Sequence, residues 1–156
     1  PPKKGRSHIL RIIRELVNYE PKEQKTNISE ALRYLTNSNK KKCTAFIVSD
    51  FINDDFEQAM KIASNKHDLV ALQVVDRGEK SLPDVGLVMM KDPESGEQRY
   101  IDTSDGKVRR SYSEWWNMQY MKSLEQFKKS GVDSTILYTD VDYIKSLTEL
   151  FKRRGA

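Results

Sequence analysis

Cys43-Thr-Ala-Phe-Ile-Val-Ser-Asp50 and Leu69-Val-Ala-Leu-Gln-Val-Val-Asp76 decide the fold. A third stretch, Ser134-Thr-Ile-Leu-Tyr-Thr-Asp140, has the same form: a short apolar run closed by an aspartate and followed by a helix start. Runs of this length with little alternation predict strands buried on both faces, the habit of parallel sheets. Parallel strands deliver their C-terminal ends to one edge, where open α/β sheets bind ligands. Asp50, Asp76 and Asp140 are therefore expected along one edge, and a cation is the first ligand to consider.

Working outward, the segment between the first two runs predicts a helix capped by Asp54 or Asp55, with Phe56, Ala59, Met60 and Ala63 toward the core. Strand, helix and strand in this order form a βαβ unit. Upstream, Ser7 is expected to cap a helix running to about Tyr19 and stopped by Pro21, with Ile9, Ile12, Ile13 and Leu16 on one face. Asn27 starts a second helix, with Glu30 three residues on in a capping-box arrangement and Ile28, Ala31, Leu32 and Leu35 as its apolar face. Downstream, residues 86–90 and 98–102 flank a turn-rich loop and predict a β-hairpin that extends the sheet's edge or packs over it. A long helix follows from Asp105 or Gly106 to Ser130, ended by Gly131, with an apolar stripe through Val108, Tyr112, Trp115, Trp116, Met118, Met121, Leu124 and Phe127. The last helix carries Tyr143, Ile144, Leu147, Leu150 and Phe151. The fold class is α/β: a mostly parallel sheet flanked by helices, with an added hairpin.

A length of 156 residues sets one domain as the expectation, 37% hydrophobic residues can fill one core, and 32% charged residues mark a solvated surface. No stretch approaches a membrane span, and a cytoplasmic setting is expected. Pro1-Pro2-Lys3-Lys4-Gly5 reads as the interior of a longer protein. The net charge of +4 permits attraction to nucleic acid without demanding it. Cys43, the single cysteine, is expected as a buried small hydrophobe, and His8 and His67 as polar boundary residues. Lys40-Lys41-Lys42 reads as a solvated loop, and Trp115-Trp116 as helix packing. No Gly-rich phosphate loop or nucleophile elbow is present.

Hard cations want oxygen ligands, so Asp50, Asp76 and Asp140 are the candidates. Aspartates after strands also cap the next element. Adjacent strands lie about 4.8 Å apart, so carboxylates two strands apart do not share one ion. Capping or loop hydrogen bonding is expected for Asp76 and Asp140. Asp50 is the stronger ligand candidate because Ser49 adds a second oxygen.

Four motifs fall in one order: Lys25-Thr26-Asn27-Ile28-Ser29-Glu30-Ala31-Leu32, Thr44-Ala-Phe-Ile-Val-Ser-Asp50-Phe51, Lys66-His67-Asp68-Leu69-Val70-Ala71-Leu72 and Leu82-Pro83-Asp84-Val85-Gly86. With them the chain resembles the C-terminal part of the bacterial domain-of-unknown-function family 58. That resemblance implies a von Willebrand factor type A-like, doubly wound domain, of which residues 1–156 are the C-terminal portion and the first strands are missing. It implies association with a MoxR-type AAA+ ATPase. It also implies a metal-ion-dependent adhesion site in which Thr26 and Asp50 are ligands. The Asp-x-Ser-x-Ser segment of such sites has no counterpart here, so the site is partial and expected to be unoccupied in this chain; the intact domain would take magnesium or manganese.

The expectation is a non-enzymatic protein-interaction module, acting with the ATPase in assembly or maturation of other proteins. Self-association is expected through the Cys43–Val48 strand, and nucleic acid is not an expected partner. The alternatives are a nucleic-acid-binding domain using Lys3, Lys4, Lys40–Lys42 and Lys152–Arg154, or a metal-dependent hydrolase at the aspartate edge.

Overall fold

The computed structural model describes residues 3–20, 26–52, 55–92 and 96–155. The three apolar runs form the strands β1 (Thr44–Ser49), β2 (Asp68–Val75) and β5 (Asp133–Tyr138). They lie parallel in the order β1-β2-β5, with Thr44 beside Asp68 and Val70 beside Asp133. The helices are α1 (Arg6–Val17), α2 (Ile28–Ser38), α3 (Glu57–Lys66), α4 (Gly106–Lys129) and α5 (Tyr143–Arg154). The remaining strands, β3 (Leu87–Lys91) and β4 (Gln98–Asp102), pair antiparallel as a separate two-stranded sheet. The hairpin therefore does not extend the parallel sheet.

Alternation along β2 builds two layers. Leu69 and Ala71 join Ile28 and Leu32 of α2, Met60 and Ala63 of α3 and Phe127 of α4 in one core. Val70 and Leu72 face Leu147 and Leu150 of α5 on the other side. Among the described strands only β2 is buried on both faces. β1 corrects the expectation: Phe46 and Val48 are 47% and 61% exposed, while Ala45 and Ile47 pack on the first core. α5 lies against β2 and β5, and its Phe151 ring meets the Phe46 ring of β1 with centroids 6.1 Å apart.

The caps follow local chemistry. Asn27 Oδ1 accepts from Glu30 N at 2.9 Å, as the capping box predicts. Asp55 Oδ1 accepts from Glu57 N at the start of α3; Asp54, the other candidate cap, and Pro21 lie outside the described residues. Asp105 and Asp142 cap α4 and α5 in the same way. Gly131, at φ 62°, closes α4 in the left-handed conformation that glycine adopts without steric cost. Ser7 does not cap α1; Gly5 holds that position, and the helix ends at Val17.

Several faces read as core are exposed. α1 buries none of its residues, Ile9, Ile12, Ile13 and Leu16 included. Ala31, Trp115, Met118, Met121, Tyr143, Ile144 and Phe151 are exposed as well. Cys43 is half-buried rather than buried, and His67 is 1% exposed, its Nδ1 3.4 Å from the Cys43 sulfur.

At the N-terminal edge of the sheet Arg154 bridges Asp68 and Asp133, tying α5 to two strands. The hydrogen bond from Arg154 holds the Asp68 carboxyl below the usual carboxylate range; the Thr44 hydroxyl adds to this and partial burial opposes it. A carboxyl depressed in the folded chain contributes stability above its unfolded pKa and loses it as pH falls. We expect the α5 clasp to weaken below about pH 4. Denaturant titrations across that range should show Arg154→Met losing less stability on acidification than the parent chain does.

Candidate functional site

The C-terminal edge of the parallel sheet opens into a cleft of about 400 Å³ lined by Thr26, Val48, Ser49, Asp50, Val74, Asp76, Glu79 and Thr139. Four sequence candidates, Thr26, Ser49, Asp50 and Asp76, thus share one cleft. Asp140 is not in it; its carboxylate pairs with Arg77 at 3.5 Å.

Asp50 ends β1 in a tight turn. Its Oδ1 accepts from the Ser49 hydroxyl at 3.3 Å and from Ile52 N at 3.1 Å, and the Ser49 hydroxyl accepts from Phe51 N at 3.1 Å. Phe51 takes φ 59°, a conformation that bulky residues rarely adopt. Its ring explains why the conformation persists. It is 2% exposed, 4.7 Å from Phe127 edge-on and 5.6 Å from Phe56. Burying an aromatic side chain stabilises by about 1.5–3 kcal/mol, comparable with the cost of such a backbone.

Asp76 behaves as its cap reading predicts. Its Oδ1 accepts from Gly78 N at 2.7 Å at the start of a short 3₁₀ turn, Arg77–Lys80, and its Oδ2 accepts from the Thr139 hydroxyl at 3.0 Å. Asp140 caps nothing; Asp142 does so two residues later.

Beneath the cleft lies a polar relay that the sequence pattern hides. Gln73 sits inside the apolar run of β2 and is 3% exposed. Its Nε2 donates at 3.0 Å both to the Asp50 carbonyl and to the Ser123 hydroxyl of α4. Ser123 in turn donates to the Tyr120 carbonyl at 2.8 Å. Trp116 and Tyr120 stack at 5.4 Å, and burial pushes the Tyr120 phenol above its ordinary pKa, with Tyr138 adding to the shift. Lys80 lies over the Trp116 and Tyr138 rings at 5.2 and 4.9 Å. Glu79 and Thr139 are cleft residues missed in the sequence; the only signals were a glutamate three residues after Asp76 and a threonine before Asp140.

As a donor set, the cleft offers carboxylate and hydroxyl oxygens, which suit a hard cation. Asp50 Oδ1 and both Asp76 oxygens already accept hydrogen bonds. Among the described residues no three His, Cys, Asp or Glu side chains are grouped to hold a metal ion. No described helix is long and apolar enough to cross a membrane.

Fold and cleft together define an α/β domain with an oxygen-rich cleft at the C-terminal edge of a parallel sheet. The chain belongs to the family described as protein of unknown function DUF58, whose model matches residues 1–121. It is similar to uncharacterized protein MAV169 of Mycobacterium avium, at 24% identity over all of this chain and 95% of that protein. It is equally similar to uncharacterized proteins Mb1516 of Mycobacterium bovis and Rv1480 of Mycobacterium tuberculosis, at 24% identity. The chain spans 50% of each of those two. No solved structure matches it.

Gln73→Leu should expose the weight of the relay. It strands the Asp50 carbonyl, at about 1–3 kcal/mol, while Ser123 keeps its bond to the Tyr120 carbonyl and the unpartnered, buried Gln73 Oε1 is removed. Urea unfolding is the measurement, and a change under 0.5 kcal/mol would show that the relay carries no stability.

Proposed function

We propose that this chain is a non-enzymatic protein-interaction module whose docking edge is the Asp50 cleft. The observation that carries the reading is the character of the edge: carboxylates and hydroxyls in an open cleft, on a strand end held rigidly by buried aromatic packing. That is a surface for recognition. Its hydroxyl–carboxylate pairs, Ser49 with Asp50 and Thr139 with Asp76, belong to the turn and cap that fix the backbone of the edge.

In the intact protein, Thr26 and Asp50 would form part of a divalent-cation site, with magnesium or manganese completing its coordination through an acidic residue of a partner. Family resemblance supports a MoxR-type AAA+ ATPase as that partner, with assembly or maturation of other proteins as the process and the cytoplasm as the setting. The same reading includes self-association of the chain through its Cys43–Val48 strand.

Calorimetry with magnesium and manganese should show no micromolar binding to this chain alone, because the Asp-x-Ser-x-Ser ligands are lacking. Micromolar binding that Asp50→Ala abolishes would overturn the partial-site reading. A phosphatase, nuclease and esterase screen, with and without metals, should show no turnover that tracks with the protein and is lost in Asp50→Ala. Binding of a purified MoxR-type ATPase from the same genome, weakened by Asp50→Ala, tests the partner directly.

A further inference from the structure

Gln73 of β2 and Trp116 of α4 line one small cavity, and each brings to it a buried polar atom with no hydrogen-bond partner among the described residues. The atoms are Gln73 Oε1 and Trp116 Nε1, on side chains of residues 3% and 6% exposed. The cavity gives about 10 Å³ to the centre of a water-sized sphere. Asp50, Val74 and Glu79 line both this cavity and the cleft, so the two adjoin.

The Gln73 amide has its orientation fixed by its other bonds. A carbonyl oxygen only accepts, so the Asp50 carbonyl requires the NH2 end of the amide. The Ser123 hydroxyl gives its one proton to the Tyr120 carbonyl and is therefore an acceptor toward Gln73. Turning the amide over would set oxygen against an accepting oxygen at both contacts. Oε1 is thus an acceptor, and the indole N–H, which only donates, is its complement. The two atoms do not bond to each other.

We propose that this cavity is the binding site of a single buried water, which accepts a hydrogen bond from Trp116 Nε1 and donates one to Gln73 Oε1. The inference is independent of what docks in the cleft.

Size and bonding select the ligand. One water needs about 10–15 Å³ measured in this way, so the space holds one heavy atom and no side-chain amide or phosphate. The bound group must accept on one side and donate on the other. A bare cation cannot accept from the indole, and a simple anion cannot donate to Oε1. An apolar atom would leave both groups stranded, which is costly away from solvent. Buried waters make about three hydrogen bonds. The Asp50 and Glu79 carboxylates among the lining residues are acceptors for the second proton. With the water in place, the Asp50 carbonyl, Gln73, the water and the Trp116 indole form one chain of hydrogen bonds from the end of β1 through β2 to α4.

Water-selective NOE and ROE spectra of the 156-residue chain test the site. A Trp115→Phe variant assigns the Trp116 indole proton. That proton should show a cross-peak to water with opposite NOE and ROE signs, the signature of a water that tumbles with the protein and not of proton exchange. Gln73→Met keeps a side chain of similar length and removes Oε1, and the cross-peak should fall several-fold. Absence of the cross-peak in the parent chain overturns the proposal, and that result needs no Gln73 variant to fold. So does a scalar coupling across a hydrogen bond from the Trp116 indole to the Gln73 carbonyl, which would show the two groups bonded directly. A cross-peak that keeps its full strength in Gln73→Met overturns the bridge, because the water would then be held without Oε1.

Discussion

Phe51 occupies a backbone conformation that a bulky side chain rarely accepts, and it does so because its ring fills the space between Phe56 and Phe127. Those two rings belong to the start of α3 and the last turn of α4, so one side chain fastens the end of β1 to both helices. The turn that carries Asp50 is therefore set by tertiary packing, and the local sequence alone would not choose it. Gln73 adds a second fastening from below, holding the Asp50 carbonyl to β2 and, through Ser123, to α4. Position and rigidity of the candidate edge come from the same buried cluster that stabilises the domain.

This arrangement explains which parts of the fold were legible in the sequence. β2 was fully legible, because a central parallel strand is buried on both faces and needs no alternation. β1 was legible as a strand, but the exposure of its Phe46 and Val48 face was not. Its exposure depends on where α5 lies, and no local pattern records that. α4 was placed to within a residue by Asp105 and Gly131, whose capping chemistry is local. Its stripe was only half core, since Trp116 and Phe127 are buried while Trp115, Met118 and Met121 are exposed. Amphipathic spacing names the apolar face and cannot say what covers it.

The candidate cleft divides along the same line. Asp50 and Asp76 were readable because strand ends in a parallel sheet converge on one edge. Thr26 entered by resemblance, and the structure places it in the same cleft. Asp140 shows where the rule stops: a strand-end aspartate one residue too far along turns away to meet Arg77. Gln73 was hidden because a single amide inside an apolar run looks like a strand position of no account. Its role appears only when the Asp50 carbonyl and Ser123, 23 and 50 residues away in sequence, are brought to it.

α1 stands apart from these couplings. A helix of 12 residues that buries no side chain draws nothing from a hydrophobic core, and isolated helices of that length are marginal in water. Its amides should open and exchange with solvent deuterium at a free energy far below that of β2, whose opening requires both layers to come apart. The first turns of the described chain and its central strand thus belong to different cooperative units. Partial unfolding should begin at α1, leaving the sheet, the aromatic cluster and the Asp50 turn intact.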